Sequence, residues 1–202
     1  MSPNDTTPAR NATFLALDFE TTGTVRGYPC LPWQLGAVSL IGGKVDLAAP
    51  RFDTLLQVPA DWPFSKHAPG THRSNREAIA AAPAFSDVWP SLHAQLSRAI
   101  PVAHNAGTER GVLAKAAPMT VYPLWVDTLP LARAIWPGLG DYTLESLIPA
   151  LGLQPRLTEL VPNRAPHDAY YDAVACGLLL ELILSLPGWS DAPLELLTAH
   201  GK

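Results

Sequence analysis

Asp18 and Glu20 stand one residue apart at the end of an apolar run in the stretch FLALDFETTG, Phe14 to Gly23. In a strand, residues two apart project to the same side, so both carboxylates share a face with Phe14 and Ala16. Two like charges beside a low-dielectric core repel, and one is driven towards protonation unless a cation neutralises both. The other way out is solvent, reached at the open end of the strand. Glu109, in HNAGTERGVLAKA, lies three, four and seven residues before Val112, Leu113 and Ala116, on the apolar stripe of a helix. An acid in a first helical turn is favoured by the helix dipole, which accounts for its presence but not for its inward direction. Asp172 lies four, seven and eleven residues before Cys176, Leu179 and Ile183, on the buried face of a strongly apolar helix where unpaired acids are rare.

Asp168 stands at the start of that helix and reads as its cap rather than as a ligand. His167 is five residues from Asp172, about 140° away around an ideal helix. The two share a site only if His167 sits on the loop just before the helix, and Pro166 is consistent with a boundary there. His104 and Asn105 follow the apolar run IPVA and read first as residues that arrange the loop, with ligand contact as a second role.

These groups need a scaffold. Residues Thr13 to Glu20 have the character of a buried central strand, closed by Thr21, Thr22 and Gly23. WQLGAVSLIGGKVDLAAPRFDTLLQV gives two β-like runs around Gly42 and Gly43, a hairpin pattern. The segment from Pro59 to Thr71 is rich in Pro, Gly and His and reads as irregular. SNREAIAA and AFSDVWPSLHAQLSRA have helical spacing and are separated by Pro83, with Pro90 near a bend or boundary. IPVAH is a short β-like run leading into the helical TERGVLAKAA, and YPLWVDT predicts a further strand. From Leu129 onward the pattern is mostly helical, through TLESLIPALGL and the long HDAYYDAVACGLLLELILSL. Strands interleaved with helices predict an α/β layered domain.

With 202 residues and 48% hydrophobic content the chain can fill one core. The expected division is a flexible segment over 1–12, one domain over 13–190 and a tail over 191–202. Lys and Arg number 14 and Asp and Glu 18, a net charge of −4, which argues against a broad basic surface for long nucleic acid. A short end handled through metal ions remains compatible with that balance. Two cysteines, Cys30 and Cys176, form neither a disulfide framework nor a zinc cluster and fit a reducing cytoplasm. The N-terminus is polar, and no run approaches the ~18 apolar residues of a membrane span.

Together, DFETTG, AHNAGTE and HDAYYDA resemble, in order, the three exonuclease motifs of the DEDDh family of 3′–5′ exonucleases, the DnaQ-like group of the ribonuclease H-like fold. The likeness runs from Phe14 to Leu184. WQLGAVSL resembles the family's second strand, and VDTLPLARAIWPGLGDYTLESLIPALGL its Asp-Thr segment and Leu-rich helix, in which Asp127 reads as structural. The resemblance implies a central mixed five-stranded sheet flanked by helices. It also implies removal of nucleotides from the 3′ end of single-stranded DNA or RNA with two divalent ions, Mg²⁺ or Mn²⁺. Carried over residue by residue, Asp18 bridges the ions, Glu20 and Asp172 hold the one that activates water, Glu109 serves the other, and His167 is the general base. Thr21 and Thr22 either meet the terminal nucleotide or only form the turn, and His104 and Asn105 join them as substrate-side candidates. The loop DWPFSKHAPGTHR either stacks on a base or is simply packed. The implied partners are a DNA polymerase or a second copy of the chain, in the cytoplasm and with no membrane.

The family's second motif usually ends Phe-Asp, whereas Thr108 and Glu109 stand here. Glu keeps the charge and adds a methylene, and the missing Phe removes an aromatic surface beside the terminal base. This departure supports a second reading: a nucleic-acid-binding or polymerase-associated module that keeps the fold with weak or no catalysis.

Overall fold

The apolar run that carries Asp18 and Glu20 becomes the centre of a mixed sheet. In the computed structural model, which describes residues 7–198, six strands form that sheet: β1 (Phe14–Thr21), β2 (Pro32–Ile41), β3 (Lys44–Asp46), β4 (Phe52–Leu55), β5 (Ile100–Ala103) and β6 (Val126–Asp127). The order is β3-β2-β1-β5-β6, with β4 also paired to β2. β1 runs antiparallel to β2 and parallel to β5. β3 and β4 share one edge of β2, pairing with Ser39–Ile41 and Gln34–Ala37, so six segments occupy the five positions that the resemblance implied. Pro50, which lacks an amide hydrogen, stands in the gap between them.

Among the described residues eight α-helices surround the sheet: α1 (Arg76–Ala80), α2 (Phe85–Leu96), α3 (Gly107–Ala116), α4 (Thr128–Ile135), α5 (Leu144–Ala150), α6 (Gln154–Leu160), α7 (Ala169–Ser185) and α8 (Leu194–Thr198). Alternation along the strands divides the core. Phe14, Ala16, Val38, Leu40 and Val102 face α7 on one side. Leu15, Leu17, Phe19 and Leu35 face Leu92 and Leu96 of α2 and Val112 and Leu113 of α3 on the other. α7 is buried along nearly its whole length, as a helix apolar all round must be.

Three differences from the sequence reading have physical causes. The run YPLWVDT pairs only over Val126–Asp127, against Val102 and Ala103 of β5, since Pro101, the next residue back along β5, has no amide hydrogen to extend the ladder. α2 passes through Pro90, which forfeits a backbone donor while Leu92 and Leu96 still bury beyond it. Residues beyond the 13–190 limits also join the packed unit. The Ala9 and Arg10 amides donate to the Ala192 and Ser190 carbonyls at 2.9 Å, the Leu194 amide donates to Thr7 O at 3.1 Å, and Leu194 and Leu197 enter the core. The parts of the expected terminal segments over 1–6 and 199–202 lie outside the described residues. No helix among the described residues is long and apolar enough to cross a membrane.

Candidate active site

β1 carries Asp18 and Glu20 out on the α7 side of the sheet, and a register shift between Glu20 and Thr21 ends its regular pairing. Gly36 of β2 pairs directly with Asp18. A Cβ at Gly36 would lie 2.0 Å from the carbonyl oxygen of Ala169 and 2.3 Å from the Tyr170 nitrogen. Glycine at this position therefore lets the first turn of α7 settle on the sheet, which brings Asp172 to the acids of β1. Glycine inside a strand pattern signals a close backbone approach, so WQLGAVSL held this information although the sequence reading did not use it.

The start of α7 is fixed by Asp168, whose Oδ1 accepts the Tyr170 and Tyr171 amides at 3.1 Å each. Arg164 donates to the same carboxylate at 2.7 Å and to Asp53 at 2.6 Å, and Gln34 donates to Asp168 at 3.3 Å. Asp168 is thus the cap that its position suggested. His167 lies just before it with φ 65°, a backbone region in which few residues other than glycine are found. In this conformation its amide donates to Asp172 Oδ2 at 2.8 Å, so the loop cancels the rotation that an ideal helix would impose. Its Nε2 lies 3.3 Å from Glu145 Oε1 of α5. Glu109 arrives from the other layer: α3 follows β5, and Glu109 Oε1 accepts the amide of Phe19, the residue between Asp18 and Glu20, at 3.4 Å.

Asp18, Glu20, Glu109, Asp172 and His167 line one cavity of about 520 Å³. Glu20, Glu109 and Asp172 are 6%, 3% and 8% exposed. Burial, reinforced by Glu109, Asp172 and Glu20, holds the Asp18 carboxyl far above the ordinary carboxylate range. Burial and the charges of Asp172, Asp168 and Glu109 push Glu20 up to about 8. Burial raises Glu109 to about 7 against the opposing Phe19 amide, and Asp172 to about 6 against the His167 amide. Among the described residues, Arg133 is the one Lys or Arg in the lining. Crowded, desolvated carboxylates with so little positive charge around them are a donor set suited to hard divalent cations. Ligand atoms of Glu20, His167 and Asp172 lie within 4.8 Å of one another and could hold such an ion.

These shifts have a sign. Each carboxyl binds its proton more tightly in the fold than in the unfolded chain, so its contribution is complete below the ordinary values of 3.8 for Asp and 4.5 for Glu. That contribution is lost as pH rises through about 6, 7 and 8 for Asp172, Glu109 and Glu20. The melting temperature in EDTA is therefore expected to fall steadily between about pH 5 and pH 8, with added Mg²⁺ recovering most of the loss at the alkaline end. Calorimetric scans in both conditions check this, and a flat profile in EDTA would contradict it.

The substrate-side candidates divide. Thr21 and Asn105 line the cavity, and Asn105 has φ 65°. His104 also lines it, but Thr128 Oγ1 at 2.9 Å and the Tyr142 carbonyl at 2.7 Å occupy its ring nitrogens, and burial lowers its pKa. Thr22 is buried and outside the lining, with its hydroxyl accepting the Leu31 amide at 3.0 Å, as turn formation requires. Asp127 accepts the Asn105 and Ala106 amides at 2.9 and 3.0 Å and the Leu129 amide at 3.0 Å, tying the start of α3 to that of α4. In the loop DWPFSKHAPGTHR, Trp62 contacts Tyr28 edge-on and Phe64 stacks on His72, so these aromatics pack on neighbours. Arg133, Asp141, Tyr142 and Glu145 also line the cavity. No spacing within the chain links these four to the acids, so nothing in the sequence marks them.

Acids gathered on β1, α3 and α7, with a histidine on the loop that leads into α7, beside a mixed sheet define an exonuclease domain of the ribonuclease H-like class. Exonuclease X, in complex with 5′-overhanging duplex DNA, has a similar structure, with a TM-score of 0.68 and 26% identity over 94% of this chain and 99% of that one. Exonuclease I shares the fold, with a TM-score of 0.67 and 19% identity over 89% of this chain and 42% of that one. The chain belongs to the RNase T family, described as exonucleases, which it matches over residues 15–180. Exodeoxyribonuclease 10 of Escherichia coli K12 is 29% identical over 174 residues, which are 86% of this chain and 70% of that protein. The PolC-type DNA polymerase III of Oceanobacillus iheyensis is 31% identical over 173 residues, which are 83% of this chain but only 11% of the polymerase.

Proposed function

We propose that this chain is a metal-dependent exonuclease that removes nucleotides from the 3′ end of single-stranded DNA. The observation that carries the proposal is the convergence of Asp18, Glu20, Glu109, Asp172 and His167 on one cavity. Asp18, Glu20, Asp172 and Glu109 would hold the divalent ions, Mg²⁺ or Mn²⁺. When bound, such ions supply Lewis-acid stabilisation of the charge that develops on the phosphate oxygens. Asp172 keeps the His167 backbone in place through the 2.8 Å amide bond. The His167 imidazole takes the proton of the attacking water, and Glu145, 3.3 Å from Nε2, balances the imidazolium that results. Thr21 and Asn105 stand on the cavity wall where the terminal nucleotide would lie.

The choice of DNA rests on the similarity to exodeoxyribonuclease 10 and to exonuclease X in its DNA complex. Similarity to PolC-type polymerase supports a DNA polymerase as partner. Free Cys30 and Cys176 fit a reducing cytoplasm. The weakly catalytic reading rests on Glu109 alone, and Glu109 already reaches the backbone of β1.

The test compares oligonucleotides of one sequence in deoxyribose and ribose form, labelled at the 5′ end. A ladder shortening one nucleotide at a time from the 3′ side, faster for DNA, is expected. Internal cuts, or RNA cleaved faster than DNA, would contradict the proposal. Glu109→Asp is expected to keep activity within about tenfold of wild type, ~1.4 kcal/mol or less in the barrier. Steady-state rates on the same DNA check this.

A further inference from the structure

Lys66, Arg73 and Arg76 border a pocket of about 410 Å³ with Phe64, Ser65 and His72, apart from the acidic cavity. The chain is net negative, so three cations around one pocket are a local reversal of sign. Among the described residues, Lys66, Arg73 and Arg76 form no ion pair, so no carboxylate neutralises the pocket they share. The pocket is also built. Arg76 donates to the Ala60 and Trp62 carbonyls at 2.6 and 2.8 Å, and its guanidinium lies 4.2 Å from the centroid of the Phe64 ring. Phe64 stacks on buried His72 at 4.7 Å, and Arg73 donates to the Lys66 carbonyl at 3.1 Å. Arg73 and Arg76, held this way, lose little freedom when an anion arrives, and exposed Lys66 adds a third positive charge.

The loop that carries Lys66 and Arg73, and leads into α1 at Arg76, forms a wall of the acidic site. The Ser65 amide donates to Thr22 O at 2.8 Å, next to the end of β1. A Cβ on Gly70 would lie 2.8 Å from the His167 carbonyl, and Pro69 lines the acidic cavity itself. We infer that Lys66, Arg73 and Arg76 seat a phosphodiester of the nucleic-acid backbone other than the one being cleaved. The inference rests on the proposed exonuclease function. A polyanion drawn to an acid-lined centre needs positive charge nearby to hold it, and this pocket supplies it across one loop.

The test uses Lys66→Glu and the double variant Lys66→Glu, Arg73→Glu. Three substrates are compared: a 3′-labelled single-stranded 20-mer, the same strand annealed to leave a 5′ overhang, and the p-nitrophenyl ester of thymidine 5′-monophosphate, which has no second phosphodiester. For the 20-mer, KM is expected to rise at least tenfold in the double variant and less in the single one, with kcat within twofold. A rise on both strand substrates assigns the seat to the strand being cut, and a rise on the duplex alone assigns it to the complement. Anisotropy of the 20-mer bound to Asp18→Asn protein, with and without the charge reversals, reads the pocket even if the wild type cleaves nothing. The slope of log affinity against log salt is expected to fall by about 0.7 when the seat for that one phosphate is lost. Unchanged KM on both the single strand and the duplex, with an unchanged slope, would overturn the inference. Equal loss of ester turnover and strand cleavage would also overturn it, because the residues would then act through the acidic centre.

Discussion

Asp18→Ala is expected to abolish cleavage, leaving less than about a thousandth of the wild-type rate, ~4 kcal/mol in the barrier, while raising the melting temperature of the metal-free protein. Asp18 is the acid surrounded by the others: the charges of Glu109, Asp172 and Glu20, after burial, hold its proton in place. Removing it ends the cost of keeping a buried carboxyl protonated among those charges, and takes one of the acids out of the cavity. The thermal gain should be larger at pH 8 than at pH 5, because Glu20, Glu109 and Asp172 carry their charges only above about 8, 7 and 6. Cleavage of labelled DNA and scanning calorimetry in EDTA check the two halves separately. A variant that cleaves at near-wild-type rate would remove Asp18 from the centre.

Gly36→Ala is the second large effect. The added methyl would meet the Ala169 carbonyl oxygen at 2.0 Å and its carbon at 2.2 Å, both backbone atoms that no rotamer change can move aside. Overpacking typically costs ~1 to 3 kcal/mol, and a clash with helix backbone belongs at or above the top of that range. Since α7 carries Asp172, and only its cap Asp168 separates it from His167, the displacement should also reduce cleavage at least a hundredfold, ~2.7 kcal/mol in the barrier. Urea unfolding and steady-state rates measure the two losses. A stable, fully active Gly36→Ala protein would mean that α7 does not depend on this contact.

Much of the site was legible because its acids violate local patterns. Asp172 and Glu109 occupy helix positions that the 3.6-residue period assigns to the core, and Asp18 and Glu20 end a run that should have stayed apolar. Pro166 indicated where the helix stops constraining His167, and the structure adds the left-handed backbone that turns its amide to Asp172. The residues that were not legible meet the site only through tertiary packing. Glu145 comes from α5 and Arg133 from α4, and nothing in their own segments marks them. For the fold, the order of strands and helices followed from periodicity, whereas the division of one β2 partner into β3 and β4 and the shortness of β6 depend on what a neighbouring strand can pair with. The contact between residues 7–12 and 190–194 joins polar stretches with no period of their own.

The most direct measurement is release of the terminal nucleotide from a 3′-labelled single strand by wild-type and Asp18→Ala protein, each in Mg²⁺, in Mn²⁺ and in EDTA. The acid-centred account predicts mononucleotide release by the wild type with either metal, none in EDTA, and none by Asp18→Ala in any condition. Release that persists in EDTA, or that survives loss of Asp18, would contradict it.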